Sequence, residues 1–232
     1  MKNILIAFSI FLVSCSSSYE TEDAEKVFTE KYPNLKIESI EKIDNSFFEI
    51  IIRDQIFYLT SDLKHLLAGN IINIKTGNNL TEARIKKHRL SLLENILDSD
   101  TVIYKPKKTS HVITIFTDVS CPYCKKLHDE IDKLLENNVE IRYVLFSRNG
   151  QDDGAYRDMV SIWCSANKKE LIKKAFNDDF LSQKDCKNPL DKNYRLGYEL
   201  RVNGTPMIFT EDGTVIPGYL PYKKILEILK SS

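Results

Sequence analysis

The feature that most constrains the fold is an apolar stretch, residues 111–117, that runs into a Cys-x-x-Cys motif. The stretch reads His-Val-Ile-Thr-Ile-Phe-Thr, and its β-branched and aromatic residues predict a strand. Apolar residues then recur at helical spacing, at Leu127, Ile131, Leu134 and Leu135. Cys121 and Cys124 therefore lie where a strand passes into a helix. Pro122 suits the first helical turn, whose unpaired N–H groups favour a thiolate at Cys121.

Composition indicates a globular chain and argues against nucleic acid as a partner. The 232 residues are 42% hydrophobic and 10% aromatic, which is enough to bury a core in one large domain or two small ones. Lysine plus arginine equal aspartate plus glutamate at 33 each, and the two signs are interspersed. We therefore predict no nucleic-acid binding.

The first 14 residues predict an export signal. Lys2 precedes an apolar run at residues 4–13 that is too short to span a bilayer. Leu12-Val13-Ser14-Cys15 resembles a bacterial lipobox, in which the cysteine is lipidated and becomes the mature N-terminus. We predict a lipoprotein signal peptide over residues 1–14 and a membrane anchor on Cys15, with Ser16 resembling the signal for the outer membrane. An ordinary signal peptide cleaved nearby is the alternative.

The cysteine count favours redox chemistry over metal binding. Five cysteines without Cys15 leave four, which pair evenly in an exported chain. The close pair is the natural redox couple, and Cys164 and Cys186 are free to be structural. Zinc would need two further ligands, but the sequence has no second Cys-x-x-Cys and no His-x-x-x-His. We predict no metal and no cofactor, interpret His128 as structural or solvent-facing, and keep a metal-binding lipoprotein as an alternative.

Residues 15–77 predict a small N-terminal domain. Residues 19–31 predict an amphipathic helix with Thr21 as its N-cap. Residues 35–74 alternate short apolar runs with turn residues, which predicts an antiparallel meander whose last strand is 71–74. So small a unit has little core and open sheet edges, so we expect a dimerisation domain.

Residues 78–99 predict a linker helix that begins after Thr81 and buries an apolar stripe. We interpret its basic residues as a solvated face rather than a binding patch. They are Arg84, Lys86, Lys87, His88 and Arg89.

Residues 100–232 predict a second domain of α/β type. Strands at 111–117 and 140–146 flank the Cys121 helix, which implies a right-handed parallel crossover. Two helices follow without an intervening strand and predict a helical insertion that carries Trp163 in the core. Gly204-Thr205-Pro206 then precedes an apolar strand and a hairpin. The whole chain is predicted as α+β and α/β.

This second domain resembles the periplasmic DsbC/DsbG-type disulfide isomerases. The resemblance rests on residues 111–118, 126–128, 162–164, Cys186, 204–206 and 215–219. The first domain resembles the family in length, order of elements and a few local runs. The resemblance implies a thioredoxin-like catalytic domain and a homodimer joined through the N-terminal domains. Two residues depart from the family pattern: Pro122 stands where glycine is usual, and Lys125 replaces the usual histidine.

Residue roles follow from the same resemblance. It makes Cys121 the low-pKa nucleophile, more exposed than Cys124, which becomes the resolving thiol. It places Thr205 and Pro206 beside them, with the Thr205 backbone pairing with substrate and Pro206 as a cis-proline that prevents metal capture. It also implies a structural disulfide, which would join the two remaining cysteines, Cys164 and Cys186.

The resemblance implies partners as well. Misfolded exported proteins with disulfides would be the substrates, and a DsbD-like membrane thiol reductase would keep the thiols reduced. The expected location is the periplasm, with the lipid anchor in the outer membrane. Cys-Pro-Tyr-Cys is the glutaredoxin motif, so the redox potential is open. The same residues also serve a thiol oxidase that donates disulfides, which is one alternative, and a holdase-type chaperone with secondary redox activity is another.

Overall fold

The computed structural model describes residues 19–43, 45–53, 55–151 and 153–231. These residues form two compact units. The first holds the described residues up to Ile52 together with Phe57–Ala68, and the second holds Arg53–Ile56 together with the described residues from Gly69 onward. The predicted signal peptide and Cys15 lie outside the described residues. The domain boundaries at residues 77 and 99 stay predictions.

The first unit packs one helix on an antiparallel sheet. Helix α1 spans Thr21–Lys31, and the strands are β1 (Ser39–Ile43), β2 (Phe47–Ile52), β3 (Gln55–Thr60) and β4 (Leu66–Ala68). The strand order is β1-β2-β3-β4, with β1 antiparallel to β2 and β3 antiparallel to β4. Phe28 of α1 belongs to the same buried cluster as Phe48 and Ile50 of β2. All three residues of the edge strand β4 are exposed.

Two local predictions near the N-terminus are wrong. Residues 71–74 make only an isolated bridge from Ile72 to Asn79. The side-chain oxygen of Asn73 instead accepts hydrogen bonds from the next backbone N–H groups, at Lys75 and Thr76, which turns the chain. Helix α1 is capped by Glu20, because Glu20 and Asp23 form a reciprocal capping box.

The second unit is built on a mixed five-stranded sheet. Its strands are β5 (Val102–Tyr104), β6 (His111–Thr117), β7 (Val139–Leu145), β8 (Met207–Thr210) and β9 (Val215–Pro217). They lie in the order β5-β7-β6-β8-β9. The central pair β6 and β7 is parallel, as the predicted crossover requires, and the other pairs are antiparallel. The site therefore begins at the carboxyl end of the central strand of the sheet.

Helices cover both faces of this sheet. The predicted helix after Cys121 is two helices, α3 (Pro122–His128) and α4 (Ile131–Glu136). The insertion supplies α5 (Gly154–Trp163) and α6 (Lys168–Phe176), followed by α7 (Leu190–Glu199), and α8 (Tyr222–Ser231) ends the chain. Trp163 is only partly buried, packed at the edge of the main core with Lys168 over its ring.

Helix α2 spans Leu80–Leu93 and corrects the prediction of a solvated basic face. Arg89 is buried, and its guanidinium donates to the Gly213 carbonyl at 2.6 Å. Lys86 pairs with Asp212 at 2.9 Å. Both acceptors, the Gly213 carbonyl and the Asp212 carboxylate, lie in the turn between β8 and β9. The residue pattern of α2 alone could not predict contacts with that turn. The N-cap is Asn79 rather than Thr81, since the Asn79 side chain accepts from the Glu82 N–H.

His128 is half-buried against the core, one helical turn after Cys124, so it is structural rather than solvent-facing. Its Nδ1 is 3.2 Å from the Tyr143 hydroxyl, and its ring packs on Phe176. Burial lowers the pKa of His128 from 6.5 to about 4, against the attraction of Asp129 and Asp132. The folded protein therefore keeps this imidazole neutral where the unfolded chain protonates it.

That pKa predicts a specific loss of stability in acid. The His128 contribution is present above pH 6.5 and is lost as the pH falls towards the folded-state pKa of about 4, because the unfolded state then binds the extra proton. Between pH 7 and pH 4.5 the free energy of unfolding should fall by about 2 kcal/mol more in wild type than in His128→Gln. Urea unfolding at the two pH values measures this difference, and equal losses in both proteins would contradict it.

Candidate active site

The two cysteines lie at the start of α3, just after the turn that follows β6. Cys121 is the N-cap of the helix and Pro122 occupies its first turn. Both cysteines are free thiols, and both are buried, with 3% of Cys121 and 1% of Cys124 exposed. Tyr123 between them is 60% exposed. The resemblance implied a more exposed nucleophile, but the Cys121 side chain offers little more surface than Cys124.

A carbonyl from a distant loop lies over Cys121. The Cys121 sulfur is 3.2 Å from the Thr205 carbonyl oxygen, across 84 positions of sequence. The Thr205–Pro206 peptide bond is cis, and the Pro206 carbonyl accepts from the Gly218 N–H at 2.9 Å. The structure thus brings Cys121, Cys124 and the loop before β8 into one site.

The two thiols have opposite acidities. A hydrogen bond from the Cys124 thiol lowers the pKa of Cys121 to about 5, with help from the N–H groups of Tyr123 and Cys124 and against the effect of burial. Burial raises the pKa of Cys124 well above its ordinary value. At neutral pH Cys121 is therefore a thiolate and Cys124 a thiol. In such a pair Cys121 can attack a disulfide while Cys124 stays protonated until the second exchange.

An ion pair with a buried carboxylate holds the turn before Cys121, and sequence reasoning missed it. Asp118 is fully buried at the end of β6 and accepts from the Arg148 Nε at 3.1 Å and from the Ser120 N–H at 2.8 Å. Arg148 also donates from Nη2 to the Ser120 hydroxyl at 3.0 Å. Asp118 follows β6 and Arg148 follows β7, and these strands are parallel neighbours. Their positions after two such strands were the sequence signal that could have predicted the pair. The pair fixes the backbone that leads into the reactive cysteine.

The two other cysteines that the sequence analysis singled out, Cys164 and Cys186, lie in the helical insertion. Cys164 follows α5 and is bonded to Cys186 in a disulfide. Among the described residues no group of three or more His, Cys, Asp or Glu side chains is arranged to hold a metal ion. Within the same ranges every helix is too short or too polar to cross a bilayer.

Two family models together match most of the chain. The model described as a thioredoxin-like domain matches residues 97–232. The model described as the disulfide bond isomerase protein N-terminal domain matches residues 16–82. The mixed α+β and α/β fold with a thioredoxin-like second part is therefore confirmed.

Individual relatives point the same way. The thiol:disulfide interchange protein DsbC of Dickeya dadantii (strain 3937) is 32% identical over 232 residues, which cover 99% of this chain and 95% of that protein. DsbC of Escherichia coli (strain K12) is 31% identical over 182 residues, covering 78% and 75% of the two chains.

A solved structure shares the fold of part of the chain. The disulfide interchange protein from Neisseria gonorrhoeae aligns with a TM-score of 0.51 at 22% identity, over 59% of this chain and 97% of that one. With the family models and the near full-length relatives, the conclusion concerns activity as well as fold. This chain belongs to the DsbC family of thiol:disulfide interchange proteins and is a thiol–disulfide oxidoreductase of the isomerase type.

Proposed function

We propose that the chain isomerises or reduces incorrect disulfides in exported proteins through Cys121 and Cys124. The observation that carries the proposal is the opposite acidity of two free thiols at one helix N-terminus. A thiolate attacks a disulfide, and a thiol does not. The Cys121 thiolate is therefore the first nucleophile, and the protonated Cys124 does not attack the mixed disulfide until it loses its proton. Pro122 stands between the cysteines where the family usually has glycine, so the redox potential of this pair has to be measured.

The reaction proceeds by two exchanges. The Cys121 thiolate attacks one sulfur of a substrate disulfide, forms a mixed disulfide and releases the other substrate sulfur as a thiolate. For isomerisation, a substrate thiolate attacks the mixed disulfide, forms a new substrate disulfide and restores the Cys121 thiolate. For reduction, Cys124 loses its proton to solvent and attacks Cys121, which forms the Cys121–Cys124 disulfide and releases the reduced substrate.

The loop before β8 positions the substrate in this scheme. The Thr205 carbonyl lies 3.2 Å from the Cys121 sulfur, so a substrate strand held by a backbone hydrogen bond to Thr205 would present its own sulfur to Cys121. Pro206 follows directly and has no N–H, so it offers the substrate strand no donor of its own. Cys164 and Cys186 serve as a structural disulfide that ties the end of α5 to the segment before α7.

The proposed assembly is a homodimer formed by the N-terminal domain. The exposed strand β4 supports it, because Leu66 and Leu67 are 37% and 44% exposed on a strand that ends the sheet among the described residues. An exposed apolar edge strand is a template for a second copy. A dimer would hold two Cys121 sites towards one substrate.

The proposed location is the periplasm, with the chain anchored to the outer membrane through a lipid on Cys15. The lipobox-like sequence at residues 12–15 supports the anchor. Each reduction of a substrate disulfide leaves Cys121 and Cys124 as a disulfide, which two electrons must reduce again, so a DsbD-like membrane thiol reductase is the proposed partner.

The function is tested by refolding a protein with scrambled disulfides in the presence of the reduced chain. We expect recovery of native disulfides at sub-stoichiometric amounts, and no acceleration over a small-molecule thiol would contradict the proposal. Thiol trapping in cells tests the direction. A mainly reduced Cys121–Cys124 pair agrees with isomerase or reductase activity, and a mainly oxidised pair would overturn that direction in favour of a thiol oxidase.

A further inference from the structure

A groove of about 490 Å³ lies beside the reactive cysteines, on the side of the helical insertion. Val119 and Ser120 of the active-site turn line one end of it. Buried Ala155 and Leu181 contribute apolar surface from the insertion. Because Ser120 directly precedes Cys121, the groove and the reactive cysteine share the active-site turn.

The charge of this groove is one-sided. Three carboxylates line it, from Asp158, Asp178 and Asp179, and no lysine or arginine is among its described lining residues. The Gln183 amide donates to Asp158 at 3.1 Å, which leaves that charge in place. Lys174 feels the charge of Asp179, but its ammonium pairs with Glu170 at 2.9 Å.

Cations close to the Cys-x-x-Cys motif have partners of their own, and the Lys126 ammonium lies over the Tyr219 ring at 4.6 Å. Lys125 bonds to Asn177 at 3.0 Å and pairs with Asp129, and Arg148 pairs with Asp118. The negative charge of the groove is therefore available to a ligand, within the part of the chain that the structure describes.

The groove also presents an aromatic face. Phe180 lines it and is 89% exposed, which is a large exposure for a phenylalanine. Lysine and arginine side chains bury an apolar stem and keep a charged head near acceptors, and they stack on aromatic rings. A ring beside three carboxylates satisfies both ends of such a side chain, whereas an acidic side chain would be repelled.

We propose that this groove binds a basic segment of the substrate, so that the chain prefers disulfides whose cysteine is flanked by lysine or arginine. The inference rests on the proposed role of Cys121 as the attacking sulfur. An extended chain advances about 3.3 Å per residue, so residues one to four positions from the attacked cysteine lie within about 13 Å of its sulfur. The carboxylates raise the local concentration of such substrates next to Cys121.

The test measures how fast the reduced chain reduces three symmetric peptide disulfides. The peptides share one sequence with a central cysteine and differ only in two flanking residues on each side, which are lysine, serine or glutamate. Each turnover converts one peptide disulfide into two peptide thiols and closes the Cys121–Cys124 disulfide. Acid quenching and chromatography give the second-order rate constants. At low ionic strength we expect the lysine peptide to react about tenfold faster than the serine peptide.

Matched variants locate the effect. Asp158→Asn/Asp178→Asn/Asp179→Asn should bring the lysine peptide to the rate of the serine peptide and leave the serine peptide unchanged. The control neutralises three carboxylates on α4 and α8 instead, Asp132→Asn/Glu136→Gln/Glu227→Gln, and should keep the preference at the same net charge. Asp178→Asn/Asp179→Asn alone, at two exposed positions, should remove most of the preference and guards against a folding defect in the triple variant.

Three outcomes would overturn the inference. They are equal rates for the lysine and serine peptides in wild type, an equal loss of preference in both triple variants, and a preference unchanged by removal of the groove carboxylates. Failure of the proposed function looks different. If Cys121→Ser reduces the serine peptide as fast as wild type, then Cys121 is not the nucleophile, whatever the charge preference.

Discussion

Cys121→Ser should reduce the recovery of native disulfides in a scrambled protein to the uncatalysed rate. The serine hydroxyl has no anionic form at neutral pH, whereas hydrogen bonding lowers the pKa of Cys121 to about 5 and makes it a thiolate there. Oxygen and sulfur differ little in size at this position, so the fold should be unaffected. Regain of enzymatic activity by the substrate protein measures the effect.

The control for this variant is its own stability and chaperone behaviour. Cys121→Ser should unfold at the same urea concentration as wild type, and any suppression of substrate aggregation should persist. If the variant still recovers native disulfides at the wild-type rate, the catalytic role of Cys121 is wrong. If wild type itself suppresses aggregation but recovers no disulfides, the chain acts as a holdase.

Cys124→Ser should accumulate a covalent adduct with substrate. Without a second sulfur the reductive route cannot resolve the mixed disulfide on Cys121, so the adduct can be released only by a substrate thiol or an added one. Non-reducing electrophoresis after mixing with a scrambled protein should show a new band that dithiothreitol removes. Wild type should show little of it, because Cys124 resolves the adduct.

The double variant Cys121→Ser/Cys124→Ser provides the comparison. It should form no adduct, since neither position then carries a thiol. An adduct in the double variant would place the reactive sulfur elsewhere in the chain. A strong adduct in Cys121→Ser alone would reverse the roles of the two cysteines.

Local patterns in the sequence predicted most elements around the site. The β-branched run before Cys121 is β6, and the spacing after it gives the helical segments α3 and α4. The break between them at residues 129–130 was missed because the apolar spacing of Leu127 and Ile131 continues through it. Patterns of this kind depend on neighbours in sequence, which is why they transfer to the structure.

Contacts between distant segments were beyond the sequence pattern. Arg89 was interpreted as part of a solvated basic face of α2, yet its guanidinium donates a hydrogen bond to a carbonyl 124 positions away. Asp118 and Arg148 were not singled out, because their pairing depends on the parallel order of β6 and β7. The proximity of Thr205 to Cys121 came from the family resemblance alone. Such contacts are fixed by topology, and no local propensity encodes them.

The most direct test of the central claim is the pH dependence of Cys121 alkylation in the reduced wild-type chain. Iodoacetamide reacts with the thiolate, and mass spectrometry of the labelled peptide separates Cys121 from Cys124. We expect the Cys121 rate to rise with a midpoint near pH 5 and Cys124 to stay unreactive through neutral pH. A midpoint for Cys121 near the ordinary thiol value of about 8.5 would contradict the claim.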